Sequence, residues 1–230
     1  EDFERITLQP GIIGARVNEI LKPHGRKFAP DPASVKSAMV GGIVMNNASG
    51  MNCGTHANSD KELLSAKIVL ADGTRLNTGD PESRTTFERK HTPFLNKIIE
   101  IRDEIRNDNE LSDRIRKKYS IKNVTGLNLL PFVIYDDPFD IIAHLMVGSE
   151  GTLAFLSEVT MKTEHDYPYS ASAMLYFSNI KDACRAVVAM KPGPVFSAEL
   201  LDKKSLASVN DTTGTGLTAV LTETKADTPE

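Results

Sequence analysis

Residues 30–73 read PDPASVKSAMVGGIVMNNASGMNCGTHANSDKELLSAKIVLADG. The first 21 positions of this stretch contain three groups of small or polar residues: Pro30-Asp31-Pro32, Gly41-Gly42, and Asn-Asn-Ala-Ser-Gly at 46–50. Glycine lets a backbone approach a flat or phosphorylated ligand closely, and asparagine offers both hydrogen-bond donors and acceptors. The groups predict one wall of a cofactor site, although their spacing is neither the dinucleotide-binding fingerprint nor a Walker loop. Helix packing followed by a turn is the alternative interpretation.

A second group, Gly148-Ser149-Glu150-Gly151-Thr152-Leu153, lies where a helical pattern gives way to an alternating one. A glutamate between two glycines has an exposed backbone and an acceptor side chain, which suits a nucleobase or a ribose. A plain connecting turn is the other interpretation of the same residues.

The apolar spacing and the chain breakers predict the elements around these groups. The pattern changes after Tyr167-Pro168, and we place a domain boundary near Asp166. Asp72-Gly73 is expected to form a hairpin turn, Asp108 lies in a helix break, and Asp137 is a plausible helix N-cap. Helices are predicted at 11–21, 35–48, 93–119, 138–145, 179–190 and 203–209, and strands at 63–70, 74–78, 153–161, 171–177, 195–201 and 217–222.

The composition excludes several classes of protein. The 230 residues are 40% apolar and 25% charged, with a formal net charge of −4, and the lack of a basic excess argues against a nucleic-acid partner. No apolar run approaches the roughly 18 residues that would cross a bilayer. Cys53 and Cys184 are far apart, which argues against a disulfide scaffold and predicts reduced thiols in a cytoplasmic protein. The five histidines show no metal-ligand spacing, so no metal site is predicted.

The motifs in residues 30–73, in this order, resemble the FAD-binding domain of the flavoprotein family that includes glycolate oxidase and the FAD-linked D-lactate and D-2-hydroxyglutarate dehydrogenases. The later segments IKNVTGLNLLPF (121–132) and DDPFDIIAHLMVGSEGTLAFLSEVTMKT (136–163) are similar to a branch of this family in which the flavin domains are fused to an iron–sulfur module. The similarity extends from about Gln9 to the C-terminus.

The resemblance implies an α+β fold in two parts. Residues 1–165 would form the second subdomain of a PCMH-type FAD-binding fold, a small mixed or antiparallel sheet covered by helices. Residues 166–230 would form the first part of a ferredoxin-like α+β substrate cap. The family's N-terminal glycine-rich loop would precede Glu1, and its histidine-rich substrate motif and iron–sulfur cysteines would follow Glu230. The resemblance therefore implies an internal fragment without catalytic residues of its own.

The resemblance also implies which residues meet FAD. Pro30 and Asp31 would begin the cofactor wall, and Ser59 would lie near the phosphates. The segment 122–128 would border the flavin and the substrate. The other implied cofactor residues are Met39, Gly41, Gly42, Asn47, Gly50, Glu150, Gly151, Thr152 and Leu153.

Three positions depart from the family pattern. His56-Ala57 stands where Tyr-Gly is usual, Ser49 replaces a glycine, and Leu127 replaces a frequent tyrosine. The function implied is oxidation of a D-2-hydroxy acid by FAD, with electrons leaving through the iron–sulfur module. Alternatives are an aldonolactone-type oxidase, a cell-wall precursor reductase, or a non-catalytic nucleotide-sensing or assembly domain that retains the fold.

Overall fold

A computed structural model describes residues 2–51, 53, 56–209 and 216–229. Asn52, Gly54 and Thr55 of the stretch quoted above lie outside the described residues. The chain divides into two compact units, Glu1–Glu164 and His165–Glu230. The division falls next to the boundary expected from the change of pattern near Asp166.

The first unit is built on a four-stranded antiparallel sheet. The strands of this sheet are β1 (Arg5–Leu8), β3 (Leu63–Val69), β4 (Arg75–Asn77) and β5 (Phe155–Lys162). Two short strands lie outside it: β2 (Arg26–Lys27), and β6 (Glu164–His165), within which the division of the units falls. The sheet order is β1-β5-β3-β4. The predicted hairpin is confirmed, because β3 pairs with β4 across Gly73, whose φ of +85° favours glycine.

Seven helices accompany this sheet among the described residues. They are α1 (Gly14–Leu21), α2 (Val40–Asn46), α3 (Ser59–Glu62), α4 (Pro81–Asn107), α5 (Asn109–Lys118), α6 (Leu130–Ile134) and α7 (Pro138–Leu145). Apolar side chains from the sheet and from the helices meet in one core. Its fully buried members include Val17, Ile43, Ile68, Ile141 and Met161. This core holds α2 against the sheet, and α2 carries several of the predicted cofactor residues.

The observed starts of α2 and α4 differ from the predicted ones, whereas the boundaries at Asp108 and Asp137 agree. α2 begins only at Val40, because the carbonyl oxygens of Val35 and Ala38 accept from the amides at the start of α1. α4 begins at Pro81, twelve residues before the predicted start, where the Asp80 side chain caps it; it then kinks at His91. The predicted cap is confirmed, because Asp137 Oδ1 accepts from Phe139 N at 2.8 Å. The predicted break at Asp108 is also confirmed: α4 ends there, and Asp108 Oδ1 caps α5 by accepting from Leu111 N at 2.9 Å.

The second unit is a three-stranded antiparallel sheet with two helices. Its elements are β7 (Tyr169–Phe177), α8 (Ile180–Met190), β8 (Ser197–Leu201), α9 (Lys203–Ser208) and β9 (Thr218–Ala226). The strand order is β7-β9-β8, so the last strand lies between the first two and runs antiparallel to both. All five elements were predicted, and the α+β class of the chain is confirmed. Within the described ranges no helix has both the length and the apolar character needed to cross a membrane.

Candidate cofactor site

The start of α2 has one packed glycine and one open glycine. A Cβ on Gly41 would lie 2.6 Å from Pro10 Cβ, and the Gly41 amide donates to Pro10 O at 2.9 Å. A Cβ on Gly42 would meet nothing within 4 Å. Met39, which immediately precedes α2, is 55% exposed. Gly41 is therefore required by packing, whereas Gly42 and Met39 present free surface.

The end of α2 is held by two side-chain contacts. Asn47 has a φ of +55°, in the left-handed region that asparagine tolerates better than most residues. Its Nδ2 donates to Asp60 Oδ1 at 3.2 Å, and Asp60 N donates to Asn47 Oδ1 at 3.3 Å. The neighbouring Asn46 Nδ2 donates to Glu150 Oε1 at 2.6 Å.

The Glu150 turn docks directly on this end of α2. Gly148, Glu150 and Gly151 all have positive φ, at +84°, +53° and +74°. Glu150 N donates to Met45 O at 2.9 Å, and Thr152 Oγ1 donates to Ser149 O at 2.6 Å. A non-glycine residue in this conformation indicates stored backbone strain, which is concentrated at ligand sites in proteins.

The segment 122–128 completes a junction of three distant parts of the chain. Lys122 Nζ donates to Ser49 O. A Cβ on Gly148 would lie 3.7 Å from Asn128 Cβ and 3.8 Å from Gly126 O. The loop after α2, the Glu150 turn and the 122–128 segment are thus brought together by contacts across 73 to 104 positions of sequence.

The remaining predicted residues have individual contacts and exposures as follows. Gly50 packs against Asp31, since a Cβ at residue 50 would be 1.9 Å from Asp31 O. Ser59 begins α3 beside Asp60; it is fully buried, and its Oγ has no hydrogen-bond partner within the described part of the chain. Leu153 follows the Glu150 turn and is 37% exposed.

Sequence reasoning missed Asp60, which binds Asn47. Asn46 and Lys122 lie within the predicted 46–50 and 122–128 segments, but their partners, Glu150 and the Ser49 carbonyl, were not predicted. The adjacent pair Asn46-Asn47 was a signal, because two amide side chains at one helix end need separate partners. The partners themselves could not be found without the fold.

Buried titratable groups lie around α3. Burial raises the pKa of Glu62 to about 7, with Glu164 adding to the rise, and its side chain is only 3% exposed. Burial lowers the pKa of His144, whose ring stacks on Tyr135 at 4.2 Å between centroids. Burial raises the pKa of Tyr135, and the Asp60 carboxylate contributes to that rise.

The arrangement fits one face of a flavin cofactor. Exposed apolar side chains at Met39, Leu127 and Leu153 would pack on a flat ring. Gly42 leaves room for a ligand to approach the α2 backbone. Exposed apolar groups with accessible backbone are typical of a binding surface.

Residues 1–79 match the family model described as FAD binding domain. This part of the chain is therefore similar to an FAD-binding domain. The matched residues include β1, α1 to α3 and the β3–β4 hairpin, whereas the Glu150 turn and the 122–128 segment lie outside them.

Curated relatives of this chain include dehydrogenases and an oxidase subunit. D-2-hydroxyglutarate dehydrogenase of Haemophilus influenzae is 25% identical over 213 residues, which cover 87% of this chain and 20% of that protein. D-lactate dehydrogenase (cytochrome) 1, mitochondrial, of Saccharomyces cerevisiae is 26% identical, covering 89% of this chain and 26% of that protein. Glycolate oxidase subunit GlcD of Escherichia coli is 24% identical, and the alignment covers 90% of this chain and 32% of that protein. The chain thus spans a fifth to a third of the length of these relatives.

A solved structure of alkyldihydroxyacetonephosphate synthase has the same fold. Its TM-score is 0.57 at 15% identity, and the alignment covers 97% of this chain and 35% of that one. The PCMH-type FAD-binding fold expected from the sequence is confirmed.

Proposed function

We propose that this chain forms part of the FAD site of an oxidoreductase that oxidises a D-2-hydroxy acid. The observation that carries the proposal is the docking of the Glu150 turn on the end of α2, at 2.6 Å from Asn46 Nδ2 to Glu150 Oε1. This contact joins the residues that match the FAD binding domain model to the Glu150 turn, which the family resemblance separately links to FAD. The named substrates of the relatives, D-2-hydroxyglutarate and D-lactate, support the substrate class.

The role of this chain is to bind and orient the cofactor. Met39 and Leu153 would cover the flat ring, and Gly42 would admit it close to the helix backbone. Pro30-Asp31 and the loop to Gly50 would form the adjoining wall, with Ser59 near the phosphates. The other proposed wall residues are Gly41, Asn47, Glu150, Gly151 and Thr152.

FAD supplies the redox chemistry when bound, accepting a hydride from the substrate carbon that bears the hydroxyl group. The exposed apolar side chains of the chain would exclude water from that reaction, and its fixed dipoles would orient the reactants. We assign no proton-transfer residue to residues 1–230. The residues that select the substrate are proposed to lie in parts of the enzyme outside this sequence.

The proposal also includes electron transfer to an iron–sulfur module and a cytoplasmic location. Electron transfer is supported by the similarity of segments 121–132 and 136–163 to the family branch in which the flavin domains are fused to an iron–sulfur module. A cytoplasmic location is supported by the use of only two widely separated cysteines. Mössbauer or electron paramagnetic resonance spectra of the reduced full-length protein would test for the cluster.

The first experiment is a visible absorption spectrum of the full-length protein, before and after addition of D-lactate or D-2-hydroxyglutarate. A flavin band that is bleached by one of them supports the proposal and identifies the substrate. A flavin band that neither acid bleaches contradicts the substrate class. A protein that stays colourless after reconstitution with FAD favours the nucleotide-sensing or assembly alternative.

Residues 1–230 alone are expected to bind FAD weakly, because the proposed pyrophosphate loop belongs to another part of the enzyme. Calorimetric titration of FAD into this chain is the measurement. A tight complex with one FAD per chain would contradict this division of the site.

A further inference from the structure

The side chains of Asn46 and Asn47 are both bound to carboxylate side chains of the protein. Asn46 Nδ2 donates to Glu150 Oε1, 104 positions away, at 2.6 Å. Asn47 exchanges two hydrogen bonds with Asp60, at 3.2 and 3.3 Å, and is only 5% exposed. The amide of Asn47 therefore faces α3 and the protein interior.

The backbone of Asn47 needs such a partner. Its φ of +55° is a conformation that persists only where the surroundings hold it. The backbone N–H of Asn47 also donates to Val44 O at 2.9 Å, at the C-terminal end of α2. Asp60, whose side chain is 11% exposed, fixes the side chain of the residue at which the chain turns.

The turn sets the direction of the loop that follows. Ser49 O accepts from Lys122 Nζ, and Gly50 packs on Asp31. A rotation at Asn47 would displace both contacts, because only two residues separate it from Gly50. The position of the proposed cofactor wall thus depends on the Asn47–Asp60 pair.

We propose that Asp60 is a positioning residue for the cofactor loop 47–50, acting through Asn47, and that Glu150 acts in the same way through Asn46. The inference rests on the proposed function and deepens it. The family resemblance implies Asn47 and Glu150 as FAD contacts, but both side chains bind protein groups: Asn47 binds Asp60 of α3, and Glu150 binds Asn46 at the end of α2. In this proposal they hold the backbone that meets FAD.

The Asp60 carboxylate could instead act by its charge alone, and the variants are chosen to separate the two effects. Asp60→Asn keeps an oxygen that can accept from Asn47 Nδ2 but removes the charge. Asp60→Ala removes both. Asn47→Gly keeps the left-handed backbone accessible and removes the side-chain bonds. Glu19→Ala, which removes an exposed carboxylate on α1, is the matched control.

The experiment has two readouts on the full-length protein: hydrogen exchange of the amides of residues 44–50 without FAD, and FAD affinity from flavin fluorescence. We expect Asp60→Ala and Asn47→Gly to speed exchange in 44–50 and to weaken FAD binding, each by about tenfold or more, the value of a hydrogen bond to a charged group. Asp60→Asn and Glu19→Ala should stay within about threefold of the parent.

The same measurements can overturn the proposal. If Asp60→Asn weakens FAD binding as much as Asp60→Ala, the charge acts directly and not through Asn47. If Asp60→Ala leaves exchange in 44–50 unchanged, Asp60 does not position the loop. Absence of FAD binding in the parent would contradict the proposed function alone, because the exchange readout without FAD still tests the contact.

Discussion

Gly50 and Asp31 are in direct backbone contact: a Cβ at residue 50 would lie 1.9 Å from Asp31 O and 2.6 Å from Asp31 Oδ1. Real Cβ atoms do not approach other atoms this closely, so the 46–50 loop can pass Pro30-Asp31 only with glycine at this position. Two of the three sequence groups predicted to build the cofactor wall are therefore packed on each other.

Replacement of Gly50 by alanine is expected to destabilise the protein by about 3 kcal/mol, since the loop or the Pro30-Asp31 segment must move. The measurement is the free energy of unfolding in urea. Gly42→Ala is the matched control; its Cβ has open space, and alanine in a helix is favoured over glycine by about 0.5–1 kcal/mol. Equal stability of the two variants would contradict the contact.

Gly42→Ala carries a second prediction. If Gly42 faces the cofactor, the variant will keep its stability and lose about tenfold in FAD affinity, because the added methyl group occupies space that the ligand needs. Flavin fluorescence of the full-length protein measures this. An unchanged affinity would remove Gly42 from the proposed wall.

Glu62 is expected to make stability depend on pH. Its pKa rises from 4.5 to about 7 on folding, mainly through burial. The folded protein then binds the proton more tightly, so the stabilisation is complete below about pH 4.5 and is lost as pH rises to 7. The Glu62→Gln variant should gain about 3 kcal/mol relative to the parent between pH 5 and pH 8.

Urea unfolding at these two pH values measures the Glu62 effect. Glu110→Gln, an exposed change on α5, should show the same pH dependence as the parent. A Glu62→Gln variant that follows the parent curve would mean that Glu62 is ionised or solvated in the folded state.

His144 is expected to remain neutral at pH values where an exposed histidine is half protonated. Burial lowers its pKa below 6.5. The unfolded chain binds the proton more tightly, so this group stabilises the protein above about pH 6.5, and the contribution is lost as pH falls. Nuclear magnetic resonance titration of the His144 ring measures the pKa directly, and a value above 6.5 would contradict the burial effect.

Arg106 is expected to hold the connection between α6 and α7. Its guanidinium donates to Phe132 O at 2.9 Å, Tyr135 O at 2.6 Å and Asp136 Oδ1 at 2.5 Å. Arg106→Ala should cost about 2 kcal/mol of unfolding free energy because two backbone carbonyls lose their donor. Arg106→Lys should recover only part, since an ammonium group cannot match the planar fork. Arg116→Ala, on the exposed face of α5, should be neutral within about 0.5 kcal/mol.

Local chemistry was sufficient to predict some elements. Asp72-Gly73 specifies a hairpin turn, and Asp108 and Asp137 cap the helices that follow them, so each signal lies within a few residues of its effect. The first three turns or so of α4 were missed because residues 81–92 contain one buried apolar residue, Phe87, and therefore no periodic pattern. The four residues of β1 are too few to show alternation.

The site was predictable in composition but not in contacts. The glycine-rich and asparagine-rich groups were visible in the sequence, and the family resemblance placed them around FAD. Nothing local pairs Asn47 with Asp60 or Asn46 with Glu150, since those contacts exist only after α2, α3 and the Glu150 turn have packed. Long-range pairing of polar side chains depends on the tertiary fold and leaves no periodic signal.

The sheet order β1-β5-β3-β4 has a consequence for how the protein is made. The residues that match the FAD-binding family end at 79, yet β5, which lies between β1 and β3, is not complete until Lys162. A ribosome adding about 5–20 residues per second needs several more seconds after β4 to supply it. Until then β5 is not available to pair with β1, so a nascent chain that has reached residue 79 is exposed to chaperones and proteases, and a chain truncated there cannot close its sheet.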